Sequence, residues 1–433
     1  MSSYVMLRSF NPVGQGAFVT EHFYEEDEER FSVVFDAGVL SSPKLGGGVK
    51  RAKNLVGATL VRNTPIYILV SHLDEDHVRF VPYILENFNV RALILPRFSC
   101  EQLAVFAVEY ALSSRRNRSV LSIVQKIYRW ESGGHSDESN NERDGRYREV
   151  DIFLVNSEDL VQEDRPFEPI PLGDSRGGAV RDVPSGQPFW LPIPSGLGRS
   201  GGFCRWTLRT YFLENHRSTA RDFWQDLSAE FPECAPDEIE QLCQGADAYE
   251  RLQSFTRCAM IKNRGLLRKI YRKHWGNLNR DSMIAASFPD PNCDWRFQGF
   301  TPPHRLRPFR HWPYWDFYLY DDFHLYDLYD RLYKRPGALY TGDSNAWELP
   351  LKIINENDVQ TLGAIQVPHH GSIHSWDSRL ANSSAPFYFA GYGVANSYGH
   401  PAPYVIRDLV LRRKFPYFYD EFSLSLAQVY GLV

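Results

Sequence analysis

At 433 residues the chain exceeds the length at which one hydrophobic core keeps growing, so a large elaborated domain or two domains are expected. Apolar residues at 43% and charged residues at 23% describe an ordinary globular protein rather than a disordered or membrane-embedded one. A net charge of −5 gives the whole molecule no field that draws in nucleic acid, so any polyanion site has to be a local patch.

The first third reads as short strands separated by turns. Tyr4–Phe10 is a strand, residues 11–16 a turn, Ala17–His22 a returning strand, and Phe31–Phe35 a buried run ending at Asp36-Ala-Gly38. Such an opening suits a mixed sheet, because a dinucleotide fold needs a strand that feeds directly into a helix. Ile66–Val70 is a second buried strand that delivers the chain into Ser71-His-Leu-Asp-Glu-Asp-His77. A helix over Val78–Asn87 and a strand over Arg91–Pro96 follow.

Residues 101–128 read as helical, 131–146 as a polar loop, Val150–Val155 as a strand, and 161–200 as a long Pro/Gly-rich connection. Arg205–Leu213 alternates as a strand does, and 218–275 is mostly helical. Loops this long inside a compact domain point to inserted or functional segments. Regular structure resumes at Met283–Phe288, passes through an aromatic segment (Asp294–Tyr333), and continues with strands Ala338–Thr341, Ala364–Val367 and Phe387–Ala390. Four times a buried strand runs into a loop bearing ligand-type residues: at 72–77, at 343, at 369–370 and at 400.

The six cysteines are scattered without CxxC spacing, which fits a reducing compartment and argues against a zinc knuckle or a disulfide scaffold. The opening residues carry no basic stretch ahead of an apolar one, and nowhere do eighteen apolar residues run together. The expectation is a soluble, cytoplasmic protein with no membrane partner.

His72, Asp74, Asp76 and His77 place four ligand-type side chains within six positions, dense enough for one loop to touch two adjacent ions. Each alone has a plainer reading: a histidine after a strand is usually a surface residue, and Asp76 would serve as a cap for the following helix. Their co-occurrence, with two more ligand-rich loops after equivalent strands, favours metal. Asp343 is the natural bridging carboxylate, although a turn aspartate in Gly-Asp-Ser is common. Of His369 and His370, one is expected to ligate and the other to line the pocket. Asp36 falls outside this set, with the expected task of orienting the metal loop through hydrogen bonds.

His72-x-Asp74-x-Asp76-His77, Thr341-Gly-Asp343 and Val367-Pro-His-His-Gly-Ser372 resemble the metallo-β-lactamase superfamily. More narrowly, the chain is similar to the soluble nuclease-like domain of the ComEC DNA-internalisation competence proteins. Val13-Gly-Gln-Gly16, Phe35-Asp-Ala-Gly38, Asn279-x-x-Ser282 and Ser397-Tyr-Gly-His-Pro401 match further landmarks in the same order. The resemblance covers about half of the chain. It implies an α/β (α+β) fold, an αββα sandwich of two facing mixed sheets with helices outside and metals at one sheet edge. Residues 1–433 would then form one domain with insertions at about 97–275 (partly core strands) and 289–337. Three departures stand out: the transmembrane channel of those proteins is missing, the insertions are unfamiliar, and no separate histidine is identifiable between the first motif and Asp343. Asp74 stands where the superfamily usually has histidine. That oxygen makes the site harder, favouring manganese or magnesium, while the affinity order keeps zinc in play.

Two divalent ions at such a site would activate a hydroxide and clamp the oxygens of an in-line displacement at a phosphodiester. Asp76 and His400 are the catalytic candidates, with His400 either hydrogen-bonding a phosphate oxygen or protonating the leaving group. Arg264, Arg268, Lys269, Arg272 and Lys273 crowd one helical stretch, and Arg305 and Arg307 interleave with aromatics that include Trp312. Basic residues among aromatics suit single-stranded nucleic acid, though a solvated helix face and an aromatic core give the same pattern. The leading expectation is a nuclease acting on DNA or RNA. A small-molecule or phosphocholine-type phosphodiesterase, and a ligand- or partner-binding scaffold with an inactive site, are the alternatives. The resemblance further implies a protein partner in a multi-component bacterial system such as antiviral defence.

Overall fold

The computed structural model describes residues 4–40, 48–112, 150–157, 168–172, 178–191, 193, 205–212, 216–236, 239–243, 248–275, 281–290, 293–301, 322–346 and 360–433. The strands of the first half are β1 (Tyr4–Phe10), β2 (Val19–Glu25), β3 (Glu28–Phe35), β4 (Ile66–Leu69), β5 (Val90–Pro96), β6 (Asp151–Val155), β7 (Ile170–Pro171), β8 (Val180–Val183), β9 (Pro188–Leu191) and β10 (Trp206–Phe212). Those of the second half are β11 (Met283–Pro289), β12 (Trp295–Thr301), β13 (Gly337–Tyr340), β14 (Leu362–Gln366), β15 (Phe387–Gly391), β16 (Phe415–Tyr419) and β17 (Leu426–Leu432). The helices are α1 (Gly48–Thr59), α2 (Glu75–Val78), α3 (Val81–Asn87), α4 (Cys100–Leu112), α5 (Arg217–Glu230), α6 (Glu240–Cys243), α7 (Ala248–Trp275), α8 (Asp322–Leu332) and α9 (Pro403–Leu411).

Among the described residues the strands form two mixed sheets. One has the order β12-β17-β1-β2-β3-β4-β5-β6-β8, and the other β16-β15-β14-β13-β11-β10-β9-β7. In each, a parallel run adjoins an antiparallel one: β3 to β6 and β8 in the first sheet, β13 to β16 in the second. Continuous apolar strands need cover on both faces, and they have it. Tyr67 and Leu69 of β4 enter a core shared with Phe387 and Phe389 of the other sheet. Ile66 and Ile68 turn the other way, into a core with α3, α4, α5 and α7. Ile284 and Tyr388 pack outward against Val405 and Leu409 of α9. The layers therefore run helix, sheet, sheet, helix.

Several elements depart from the sequence expectation. β2 continues to Glu25 and β3 begins at Glu28, because the charged residues there form the exposed end of a hairpin whose turn residues Glu26 and Asp27 adopt positive φ. The helix expected from Val78 starts at Glu75 and is interrupted before α3, whose second residue, Pro82, has no N–H to continue the ladder. The 161–200 connection contains β7, β8 and β9, strands of two to four residues, too short to show a period. α7 is broken at Asn263 (φ −157°, ψ 87°), whose Oδ1 accepts the Leu266 N–H and starts a second helical segment. The elements α9, β16 and β17 follow the last one read from the sequence, and β17 lies between β1 and β12.

The cysteines need a correction. Cys234 and Cys258 form a disulfide and Cys293 is also bridged. The partners lie 24 residues apart, and the turn from α5 back onto α7 brings them together. That pairing removes the support the cysteines lent to a reducing compartment. Among the described residues no helix is long and apolar enough to cross a membrane.

Candidate metal centre

The ligand-type residues gather at the carboxyl ends of the parallel strands. His72 to His77 follow β4, Asp343 follows β13, His369 and His370 follow β14, and His400 lies in the loop after β15. His72, His77 and Asp343 offer ligand atoms all within 4.8 Å of one another, and so do Asp76, His77 and His370. Asp343 faces both ways. Its Oδ1 lies 3.3 Å from His77 Nε2 and 4.0 Å from His370 Nε2, and its Oδ2 lies 3.9 Å from His72 Nε2 and 3.7 Å from His369 Nε2. Asp76 Oδ2 is 3.4 Å from His370 Nε2, and Asp74 Oδ2 is 3.7 Å from His72 Nε2.

The outer nitrogen of each ring is committed elsewhere. His77 Nδ1–H donates to Asp36 Oδ2 at 2.8 Å, and His370 Nδ1–H donates to the Gly391 carbonyl at 2.7 Å. His72 Nδ1 lies 3.0 Å from Ser71 Oγ and 3.1 Å from Ser282 Oγ, which also accepts the Asp343 N–H. These partners place the proton on Nδ1 and leave the Nε2 lone pairs directed inward. The Nε2 atoms of His72, His77 and His370 are buried and have no hydrogen-bond partner. Buried polar atoms rarely go unpaired, and three that converge beside carboxylates fit a bound cation. His72, Asp74, Asp76, His77, Asp343 and His370 can hold metal there, with His369 at the rim.

The local charge points the same way. Burial works against a charged His77, yet Asp36 and Asp343 outweigh it and raise the imidazole well above the ordinary histidine value, so their negative charge draws either a second proton or, in its place, a metal cation to Nε2. Burial likewise opposes the Asp343 charge, and His369, His77 and His370 hold that carboxyl well below the usual range. Capping does not account for the carboxylates: Asp74 occupies the N-cap position of α2 without a side-chain cap bond, and Asp76 lies inside the first turn.

Backbone clamps hold the loop. Ala17 N–H donates to the Asp76 carbonyl at 2.9 Å and Ala37 N–H to that of His77 at 2.6 Å. A Cβ on Gly16 would lie 2.9 Å from the Asp76 carbonyl oxygen, and one on Gly38 would lie 2.3 Å from the Asp76 carbonyl carbon. Only glycine allows that approach, which explains the two glycine motifs of the first third. Asp36, His369 and His370 all have positive φ (55°, 46° and 54°), costly for residues with a Cβ. The His369 N–H donates to the Gly342 carbonyl, tying the two second-sheet loops together.

His400 packs against His369 with ring centroids 5.3 Å apart, and its Nδ1 is buried without a partner. Burial, with His369 and His370 adding to it, pushes its pKa down to about 4. Arg264, Arg268, Lys269, Arg272 and Lys273 lie exposed on α7, outside the cluster. Lys273 pairs with Asp226, whereas Arg268, Lys269 and Arg272 have no carboxylate partner among the described residues. Tyr271, on the same turns, is raised by burial and by the Asp74 charge. Arg305, Arg307, Trp312 and Asn279 lie outside the described residues.

The supporting serines 71, 282 and 375 escaped the sequence reading as partners of the histidines. For Ser71 the only signal was its place between a buried strand and His72. Compared with known proteins, the chain matches no family model and no curated protein.

Proposed function

We propose that this protein is a metal-dependent phosphodiesterase of metallo-β-lactamase type, acting as a nuclease on DNA or RNA with two divalent ions, manganese or zinc. The observation that carries the reading is the set of three buried, partnerless Nε2 atoms around the two-sided Asp343 carboxylate. Two ions held there would supply an activated water and positive charge for the phosphoryl oxygens.

The rest falls to the side chains. Asp343, between the two sets of imidazoles, fixes the spacing of the site. Asp36, Ser71 and Ser282 keep His77 and His72 in the one tautomer that presents Nε2. His400 is held neutral, and cations nearby would depress its pKa further. Of its two candidate roles, that favours donating a hydrogen bond to a phosphate oxygen over protonating the leaving group. Arg268, Lys269 and Arg272, exposed on α7, would receive the flanking phosphates of a polymer.

The test incubates purified protein with labelled single- and double-stranded DNA and RNA in manganese, magnesium or zinc, with Asp76→Ala and Asp343→Ala as controls. Polymer cleavage by the wild type alone is expected. Absence of bound metal by elemental analysis would sink the reading. Cleavage of bis(p-nitrophenyl) phosphate without any polymer cleavage would make it a small-diester enzyme instead.

A further inference from the structure

The loop between β15 and α9 presents an aromatic face at the mouth of the cluster. The Tyr398 side chain is 67% exposed, and its ring lies nearly parallel to that of His400, at 16° with centroids 5.9 Å apart. His400 in turn abuts His369, whose Nε2 lies 3.7 Å from Asp343 Oδ2. Ring faces of decreasing exposure thus lead from solvent to the carboxylate.

A lone exposed tyrosine needs no explanation in general. This one sits on a loop built to hold it. Asn396 Nδ2 donates to the carbonyls of Gly393 and His400 at 2.6 and 3.0 Å, and its Oδ1 accepts the N–H groups of Tyr398 and His400, each at 3.2 Å. Outside the loop, Gln15 Oε1 accepts the Gly393 N–H and Glu421 Oε2 that of Val394. Gly399, at φ +74°, makes the turn that sets the two rings side by side.

We infer that Tyr398 is a stacking platform for a nucleobase next to the reacting phosphate, so that the substrate is a nucleoside phosphodiester. The inference rests on the phosphodiesterase reading above. A flat, polarisable face beside a phosphate site suits any base, because every base has a π-face and no hydrogen-bond code is required.

The test measures binding of 2′-deoxyadenosine 5′- and 3′-monophosphates, 2-deoxyribose 5-phosphate and inorganic phosphate to the manganese-loaded full chain by calorimetry. At least one nucleotide should bind roughly tenfold tighter than the base-free sugar phosphate. Tyr398→Ala should lose that gain and Tyr398→Phe should keep it. In cleavage of oligothymidylates carrying one abasic position walked along the strand, Tyr398→Ala and removal of the stacked base should be non-additive, with the effect in KM. Equal binding of nucleotides and base-free sugar phosphate, or a gain that survives Tyr398→Ala, overturns the inference and leaves the phosphodiesterase reading standing. If the manganese-loaded protein binds none of these phosphates and cleaves no diester, the phosphodiesterase reading falls and the inference with it.

Discussion

Asp36 Oδ2 accepts the Nδ1 proton of His77 at 2.8 Å, while the opposite ring nitrogen lies 3.3 Å from Asp343 Oδ1. One imidazole thus spans two carboxylates, with one nitrogen fixed and the other available. Asp36→Asn keeps the shape and removes the charge that makes Nε2 a better donor. Metal affinity is expected to fall by about 10–100-fold, read by competition with a chromophoric chelator. An unchanged affinity would show that Asp36 only fills space.

Gly38 tests the clamp. An alanine Cβ there would lie 2.3 to 2.5 Å from the backbone of Asp76 and His77, which cannot move without displacing the ligands. Gly38→Ala is expected to destabilise the fold by roughly 1–3 kcal/mol and to lower metal stoichiometry. Gly48→Ala, at a helix start with open space around it, is the control and should cost little. Normal metal content in Gly38→Ala would show that the loop tolerates displacement.

The legible part of this structure is the part with a local signal. Ile66–Leu69 and Phe387–Gly391 announce themselves as apolar runs, and the polar loops after them carry the residues that meet at one sheet edge. Asp343 and His370, 27 positions apart, meet because β13 and β14 pair in parallel and end together. Illegible are features set by distant partners. Ser282 stands in the sequence as a motif landmark without a role until His72 and the Asp343 N–H both arrive at its hydroxyl. The strand at 426–432 takes its place only from β1 and β12. Cysteine pairing cannot be deduced from spacing at all.

The Cys234–Cys258 bridge closes a loop of 24 residues in the helical layer. Chain entropy assigns such a loop roughly 3 kcal/mol. Cys258→Ser is expected to lower the denaturant midpoint, and reduction of the wild type, which also opens the Cys293 bridge, to lower it at least as far. A wild type indifferent to reductant would mean that packing of α5 on α7 carries that layer alone.

Glu29 gives the fold an acid limit. Burial opposes its charge, but His22 at 2.9 Å, Ser32 and Tyr24 outweigh it and lower its pKa below the ordinary 4.5. A carboxyl depressed in the folded state stabilises above the unfolded value, and that contribution is lost as pH falls through the folded value. Glu29→Gln should therefore lower stability at neutral pH and flatten the decline below 4.5. Identical slopes for the two proteins in acid would show that other carboxyls set the limit.

In the proposed metal site, Asp74 would set how hard the donor set is. Its side chain is 34% exposed and its Oδ2 lies 3.7 Å from His72 Nε2, placing an oxygen where an imidazole would make a softer donor set. Softer nitrogen donors suit zinc, whereas carboxylate oxygen suits manganese and magnesium. Asp74→His should raise the ratio of zinc to manganese affinity, measured by titrating both ions against one chelator. The direction follows from charge as well as softness, since losing an anion weakens an oxygen-seeking ion most. A ratio that stays constant, with both affinities falling together, would place Asp74 outside the ligand shell and leave His369 to join His72 and Asp343 on that side.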